Sequence, residues 1–305
     1  MDRNKLPRSV CLKSKLFVSL ITIFVLCAFT PETRSSPGWI CGTKNYLSLI
    51  GNDVSGLYRC WKLKWKSVFV NYPVLPESLE GGTPVLFVHG YMHNNTAWIE
   101  FRKACEESGM GPIFTPSLRR SMDDIRASAF EIARWVRIIK KVTGKNEVIL
   151  VGHSMGGIVS TYCAQHLAEP GSIKAVITLG SPLKGTHVAS FAIGKAAFQM
   201  QKDSPFLTAL MANVTENPKT RYICFGSRAD EAVRPFESAF INDPHVVYDD
   251  IGHSSMLFHE GVIRDVLSMI QTLDQRARSD EPEVLVWFRK PFNQEGCCTA
   301  RADAA

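Results

Sequence analysis

A single serine lies between two glycines in the segment Gly152-His153-Ser154-Met155-Gly156. An apolar run precedes this segment and residues with helical spacing follow it, so we expect an abrupt turn from a strand into a helix. Small residues two positions before and after a serine permit such a turn, which presents the hydroxyl group for nucleophilic attack. The amide of Met155, at the start of the helix, is then expected to point to where an oxyanion would form.

A nucleophilic serine needs a base, and the base needs an acid that orients it. His253 directly follows the segment VVYDDIG, which places it at the C-terminal end of a predicted strand; the other histidines fit such a position poorly. The acid is expected at the end of the preceding strand, where TRYICFGSRADE offers Asp230 first and Glu231 second. We therefore predict Ser154, Asp230 and His253 as nucleophile, acid and base, in that order along the chain.

An oxyanion site requires a second amide donor besides that of Met155. The loop after the first buried strand, in VLFVHGYMHNNTAW, is the expected source. Tyr91 follows His89-Gly90 in this loop, and we predict that its backbone N–H is the second donor.

Strand-like and helix-like segments alternate from residue 62 onward, which predicts helices packed on both faces of a mostly parallel sheet of at least six strands. In the segment 121–142 the apolar residues recur in steps of three and four, with Ser121 as the expected cap and Gly144 as the expected stop. The predicted strands are 62–72 at the edge, 84–90, 147–152, 175–180, 220–226 and 246–251, and the other predicted helices are 154–167 and 255–273.

Five motifs together make the chain resemble the α/β-hydrolase superfamily from about residue 62 to 273, most closely its bacterial true lipases of the triacylglycerol lipase and esterase type. These motifs are FVHGY at 87–91, VGHSMGG at 151–157, TLGSPLKGT at 178–186, SRAD at 227–230 and GHSSML at 252–257. The resemblance implies the hydrolysis of acyl esters by Ser154, Asp230 and His253 without a cofactor. It does not assign a role to residues 37–61 or to the tail after residue 276.

Two other functions use the same scaffold. An acyltransferase would employ the same three residues with an alcohol in place of water, and a noncatalytic lipid-binding protein would retain only the pocket. The apolar segment 187–214, between two predicted strands, is a candidate lid over an acyl pocket, although ordinary core helices are an alternative interpretation. A lipid or long-chain ester is the expected substrate.

The N-terminus resembles a targeting segment, with basic residues before an apolar stretch at 16–30. Fifteen apolar positions suit a signal peptide better than a full bilayer span, which needs about 20 residues. We therefore predict a signal peptide or membrane anchor at 1–36, an extension at 37–61, the hydrolase domain at 62–275 and a tail at 276–305. Export from the cytoplasm or anchoring in a membrane follows as an expectation.

Charge and cysteine spacing exclude several other classes. The chain carries a net charge of +6, but six of its 35 basic residues and only two of its 29 acidic residues lie in 1–36, so the remainder is nearly balanced and no nucleic-acid motif is present. The nine cysteines have no metal-binding spacing, and we predict no metal site. In an exported chain Cys41 and Cys60 are candidates for a disulfide, whereas Cys105, Cys163 and Cys224 are expected as buried thiols.

Overall fold

A six-stranded parallel sheet forms the centre of the computed structural model, which describes residues 43–216, 218–241 and 245–276. The strands lie in the order β2-β1-β3-β4-β5-β6. Their bounds are β1 (Val85–Val88), β2 (Ile113–Phe114), β3 (Val148–His153), β4 (Ile173–Leu179), β5 (Arg221–Ser227) and β6 (His245–Tyr248). The predicted parallel sheet of six strands is therefore confirmed.

Helices cover both faces of this sheet, as predicted. Alternate residues of β1 enter opposite cores: Leu86 and Val88 pack on one face, and Val85 and Phe87 on the other. The first face is covered by α3 (Ile125–Thr143), α4 (Met155–Tyr162), α5 (Lys195–Met200) and α6 (Pro205–Glu216), and the second by α1 (Thr43–Lys66), α2 (Ile99–Glu107) and α7 (Glu260–Arg276). Because the strands are buried on both sides, they appear in the sequence as continuous apolar runs.

The predicted edge strand at 62–72 is wrong. Residues up to Lys66 belong to α1, and the edge beside β1 is formed by the two-residue strand β2. The alternation of polar and apolar residues in KLKWKSVFVNY resembles a strand, but its first half continues a helix that begins at Thr43. Helix α1 thus runs without interruption across the boundary predicted between residues 61 and 62.

Helix α3 confirms its predicted apolar face, because Ile125, Ile132 and Ile139 are fully buried. Its start differs from the prediction. Asp124, not Ser121, is the N-cap, and its side chain accepts a hydrogen bond from the amide of Arg126. The predicted stop is confirmed, since Gly144 adopts the left-handed conformation with φ 68° that ends helices.

The candidate lid at 187–214 divides into two parts. Most apolar side chains of α6, such as Phe206 and Leu210, are buried in the core, as in the alternative interpretation of this segment. The preceding part exposes three large apolar side chains, Phe191, Ile193 and Phe198, each more than half accessible to solvent. Only the part before α6 therefore presents an apolar surface.

Several predictions concern residues outside the described ranges. The apolar stretch at 16–30, the tail after residue 276 and Cys41 all lie there. Cys60, its predicted disulfide partner, is a buried free thiol, and the expected buried thiols at 105, 163 and 224 are confirmed. Within residues 43–276 as described, no helix is both long and apolar enough to span a bilayer.

Candidate active site

Ser154 lies at the strained turn between β3 and α4. Its φ of 56° is in the left-handed region, which costs a non-glycine residue about 1–3 kcal/mol. The turn requires glycine on both sides: a Cβ on Gly152 would lie 2.5 Å from the backbone of Gly156, and one on Gly156 would lie 2.1 Å from the carbonyl oxygen of Val88. Strain at a single half-buried side chain, held by close backbone packing, is typical of functional sites.

The turn also lies where the order of the strands in the sheet reverses. Strand β1 has β2 on one side and β3 on the other, although β2 lies between them in the sequence. Ligands of open parallel sheets bind at such a point, beyond the C-terminal ends of the strands. Gly90 follows β1 and Ser154 follows β3 at this point, and a Cβ on Gly90 would lie 2.8 Å from Cβ of Ser154.

Asp230 and His253 form a buried pair after β5 and β6. Asp230 Oδ2 lies 2.9 Å from His253 Nδ1, and both side chains are less than a tenth exposed. The other carboxylate oxygen, Oδ1, accepts hydrogen bonds of 2.9 Å from the amides of Ala232 and Val233. These backbone donors hold the carboxylate in place and satisfy it in the absence of solvent.

The pair favours the charged form of the imidazole. Burial by itself lowers the pKa of His253, but the charge of Asp230 and its hydrogen bond outweigh burial, with a further contribution from the charge of Asp53. The net result raises the pKa of His253 above its ordinary value of 6.5. A histidine held in this way accepts a proton readily at its other nitrogen, Nε2.

The end of β4 brings the serine and the pair to one edge. Ser154 N donates a 2.9 Å hydrogen bond to the carbonyl of Leu179. A Cβ on the next residue, Gly180, would lie 2.7 Å from Asp230 Oδ2 and 3.3 Å from His253 Nδ1. No hydrogen bond joins Ser154 Oγ to His253 among the described residues; such bonds often tighten only when substrate is bound.

His89 orients the peptide unit that carries the Tyr91 amide. His89 Nε2 accepts a 2.8 Å hydrogen bond from the amide of Leu118, so the ring proton is on Nδ1, which donates to the Gly90 carbonyl at 2.9 Å. Burial lowers the pKa of His89 to about 4 and keeps the ring neutral. In a trans peptide the N–H is opposite to the C=O, so this bond also fixes the direction of the Tyr91 N–H.

The other contacts of this loop come from two directions. The Tyr91 hydroxyl donates to the carbonyl of Ile193, in the segment with the exposed apolar side chains. Lys64 of α1 donates to the carbonyl of Met92, whose φ of 54° is also in the left-handed region. Met155, the other predicted amide donor, is fully buried at the first position of α4.

Glu231, the second acidic candidate, occupies a different environment from Asp230. Burial, a hydrogen bond to Asp53 and the charges of Asp53 and Asp230 raise its pKa well above the ordinary value. Asp53 belongs to α1 and accepts a hydrogen bond from the amide of Ser254, next to His253. Sequence reasoning missed Asp53, because it lies in a segment without any recognised motif.

The described ranges contain no cluster of three or more His, Cys, Asp or Glu side chains that could hold a metal ion. What the arrangement offers chemically is a hydroxyl on a strained turn, a hydrogen-bonded carboxylate and imidazole at the same sheet edge, and amides at the ends of β1 and β3.

Two of the known proteins that the chain resembles are partial relatives. The chain is 27% identical over 116 residues to a triacylglycerol lipase of Pseudarthrobacter phenanthrenivorans. The aligned region covers 35% of this chain and 35% of that protein. It is likewise 27% identical over 116 residues to a triacylglycerol lipase of Burkholderia plantarii, which covers 35% of this chain and 32% of that protein. The match thus spans about a third of the length of these curated relatives.

Solved structures share the fold at lower identity. Lipase BlEst2 of Bacillus licheniformis in its mature form matches with a TM-score of 0.54 and 20% identity, over 65% of this chain and 95% of that chain. Aspergillus fumigatus lipase B matches with a TM-score of 0.54 and 16% identity, over 60% of this chain and 52% of that chain.

A family model described as alpha/beta hydrolase fold matches residues 83–244, more than half of the 305 residues. This range includes β1 to β5, the Ser154 turn and Asp230. The six-stranded parallel sheet agrees with that assignment. The chain therefore belongs to the alpha/beta hydrolase fold family.

Proposed function

We propose that the protein is a serine hydrolase that cleaves carboxylic esters through an acyl-enzyme. The observation that carries this proposal is the 2.9 Å Asp230–His253 hydrogen bond at the sheet edge where the strained turn presents Ser154. In the first step Ser154 Oγ attacks the ester carbonyl while His253 Nε2 takes the hydroxyl proton. Collapse of the tetrahedral intermediate breaks the ester bond, and His253 returns the proton to the leaving alcohol.

The second half of the cycle repeats this chemistry with water. His253 Nε2 removes a proton from water, whose oxygen attacks the acyl carbonyl, and the serine leaves with that proton. The Asp230 carboxylate keeps the ring proton on Nδ1 and stabilises the transient imidazolium. We propose that the amides of Tyr91 and Met155 donate hydrogen bonds to the negative oxygen of both tetrahedral intermediates. A single donor of this kind lowers the activation barrier by about 2.7–4 kcal/mol.

The acid can be tested against its neighbour. We expect Asp230→Asn to lower turnover by about 10⁴-fold, because the amide favours the wrong tautomer of His253 and does not stabilise its charged form. Glu231→Gln should change turnover by less than about threefold, since its side chain faces Asp53 and not His253 Nδ1. Both are measured as kcat on a nitrophenyl ester. The reverse order of effects would move the acid to Glu231.

The pH dependence follows from the state of His253. Only the neutral imidazole can act as base, so kcat/KM should rise with pH as His253 loses its proton. Because Asp230 raises the pKa of His253, we expect the midpoint of this rise above pH 6.5. The measurement is a profile of kcat/KM against pH in constant ionic strength. A rate that does not fall below pH 6 would contradict the role of His253 as base.

A lipid or long-chain ester is the proposed substrate class. Phe191, Ile193 and Phe198 form an exposed apolar surface, and the carbonyl of Ile193 binds the hydroxyl of Tyr91 in the predicted oxyanion loop. An apolar surface beside a reactive serine suits an acyl chain, and the names of the two partial relatives agree with that class. Export or anchoring through residues 16–30 would bring the enzyme to such substrates.

Acyl-chain length provides the test of this class. Each methylene that enters an apolar pocket contributes about 0.8 kcal/mol, so we expect kcat/KM to increase from acetyl to octanoyl esters and to increase again when palmitoyl esters aggregate. The measurement compares these three esters above and below their solubility limits. Preference for the acetyl ester, with no response to aggregation, would leave a hydrolase of small esters instead.

The apolar surface can be probed in the same assay. Phe198→Ser should weaken the response to aggregated ester while leaving hydrolysis of the soluble acetyl ester within about twofold of the wild type. The matched control is Phe130→Ser, which removes a similarly exposed phenylalanine on α3.

A further inference from the structure

Helix α1 packs directly against the turn that carries His253. Asp53 is only 2% exposed, although it is an acidic residue of an N-terminal helix. Its Oδ1 accepts hydrogen bonds from the amides of Ser254 at 2.8 Å and Ser255 at 3.3 Å. Burial of a carboxylate costs free energy because the group loses its hydration, and hydrogen bonds such as these two offset that cost.

Glycines on both sides make this close approach possible. A Cβ on Gly252 would lie 2.5 Å from Cβ of Asp53, and a Cβ on Gly56 would lie 2.8 Å from the amide nitrogen of Ser255. Helix and turn therefore approach closely: the Gly56 backbone lies against the backbone of Ser255, and the Asp53 side chain lies against Gly252. Movement of α1 would be transmitted to the turn.

The other carboxylate oxygen of Asp53 faces a second acid. Asp53 Oδ2 is buried and has no assigned donor among the described residues. Glu231 lies beside it, and burial together with the nearby charges of Asp53 and Asp230 raises the pKa of Glu231 well above its ordinary value.

We propose that Asp53 is a positioning residue for His253. The Asp53 carboxylate holds the turn from Gly252 to Ser255 and so sets the distance between the His253 imidazole and Ser154. This inference rests on the proposed hydrolase function and adds to it a part of the chain that lies outside the matched family region. It makes α1 part of the catalytic assembly.

Three contacts together fix the histidine. Asp230 binds Nδ1 of the ring, His153 Nε2 lies 3.0 Å from the carbonyl oxygen of His253, and Asp53 binds the following amide. The first two hold the ring and one side of the backbone, and the third connects the turn to α1. A displacement of the base by about 1 Å can lower the rate by about 10²-fold.

The experiment uses the full chain and compares Asp53→Ala, Asp53→Asn and Gly56→Ala with Ser55→Ala, an exposed neighbour on the same helix. Active sites are counted by stoichiometric reaction with an organophosphonate, and kcat and KM are determined per active site. Circular dichroism melting curves monitor folding separately. Counting active sites distinguishes a misplaced base from a smaller folded fraction, which a purely structural role would produce.

We expect Asp53→Ala to lower kcat per active site about 10- to 100-fold with KM within about threefold of the wild type. Asparagine keeps an oxygen acceptor and gains a donor for Glu231, so Asp53→Asn should recover to within about fivefold. Gly56→Ala places a methyl group against Ser255 and should also lower kcat, although alanine favours the helix. Ser55→Ala should behave as the wild type.

Unchanged kcat per active site in Asp53→Ala would overturn the proposal. If that variant does not fold, Gly56→Ala decides in the same way, since an unchanged kcat would show that α1 does not set the turn. Failure of the proposed function looks different: the wild-type chain itself would then neither hydrolyse esters nor react with the organophosphonate at Ser154, and the role of Asp53 would fall with it.

Discussion

Ser154→Ala is expected to reduce ester turnover by about a million-fold, the loss typical of removing the nucleophile of a serine hydrolase. Alanine has a Cβ like serine and tolerates the φ of 56° no worse, so the turn and its packing should persist. The measurement is kcat on a nitrophenyl ester, with a melting curve to show that the fold is intact. The rate that remains should still exceed the uncatalysed rate by about 10³- to 10⁴-fold, because the oxyanion site and substrate binding persist.

Ser108→Ala is the matched control, since this exposed serine follows α2. We expect it to keep the wild-type rate. A Ser154→Ala protein that retains more than about a tenth of the activity would contradict the serine mechanism, because no oxyanion site alone gives so much catalysis.

His253→Gln should cause a loss of similar size, about 10⁵- to 10⁶-fold in kcat, because neither the attack on the ester nor the release of the alcohol then has a proton carrier. Glutamine retains a donor for Asp230, which avoids leaving that buried carboxylate without its partner. The free energy of unfolding should therefore fall less than in His253→Ala. Turnover and melting temperature are measured on the same preparation.

The exposed His259 provides the comparison, as it lies six residues further along the chain. His259→Gln should leave turnover unchanged. Equal losses in His259→Gln and His253→Gln would indicate an effect on α7, which begins at Glu260, and not on proton transfer.

Much of the fold and of the candidate site could be predicted because each element has a local signal. The inner strands are mostly apolar, as in the VILV run that opens β3, and α3 places apolar residues on one face. The candidates Ser154, Asp230 and His253 were each found at the end of such a strand. In a parallel sheet the ends of successive strands meet at one edge, which is why residues almost a hundred positions apart could be assigned to one site.

Helix α1 could not be predicted in this way, for a physical reason. The residues it buries against the turn include Asp53, Gly56 and Cys60, which recur at helical spacing but are not a hydrophobic stripe. Glycine is moreover disfavoured inside helices. These residues stabilise the contact through close backbone approach and through two hydrogen bonds from the amides of Ser254 and Ser255 to Asp53. Neither kind of contact produces a recognisable pattern of residue types in the sequence.

The edge of the sheet was missed for a related reason. Strand β2 has only two residues, Ile113 and Phe114, too few for any periodicity to appear. The segment 62–72 alternates polar and apolar residues, yet it extends from α1 into an exposed turn in which Val68 and Phe69 face solvent. Alternation predicts a strand only where a neighbouring strand is available to pair with it.

The most direct test of Ser154 as the nucleophile is the site at which an organophosphonate reacts with the protein. Full-length protein is treated with the reagent, its mass is measured intact, and the modified peptide is sequenced by mass spectrometry. We predict one adduct per chain, on Ser154, formed more slowly as the pH falls and His253 becomes protonated. Hydrolysis of esters by a chain that carries no adduct, or whose adduct is on another residue, would contradict it.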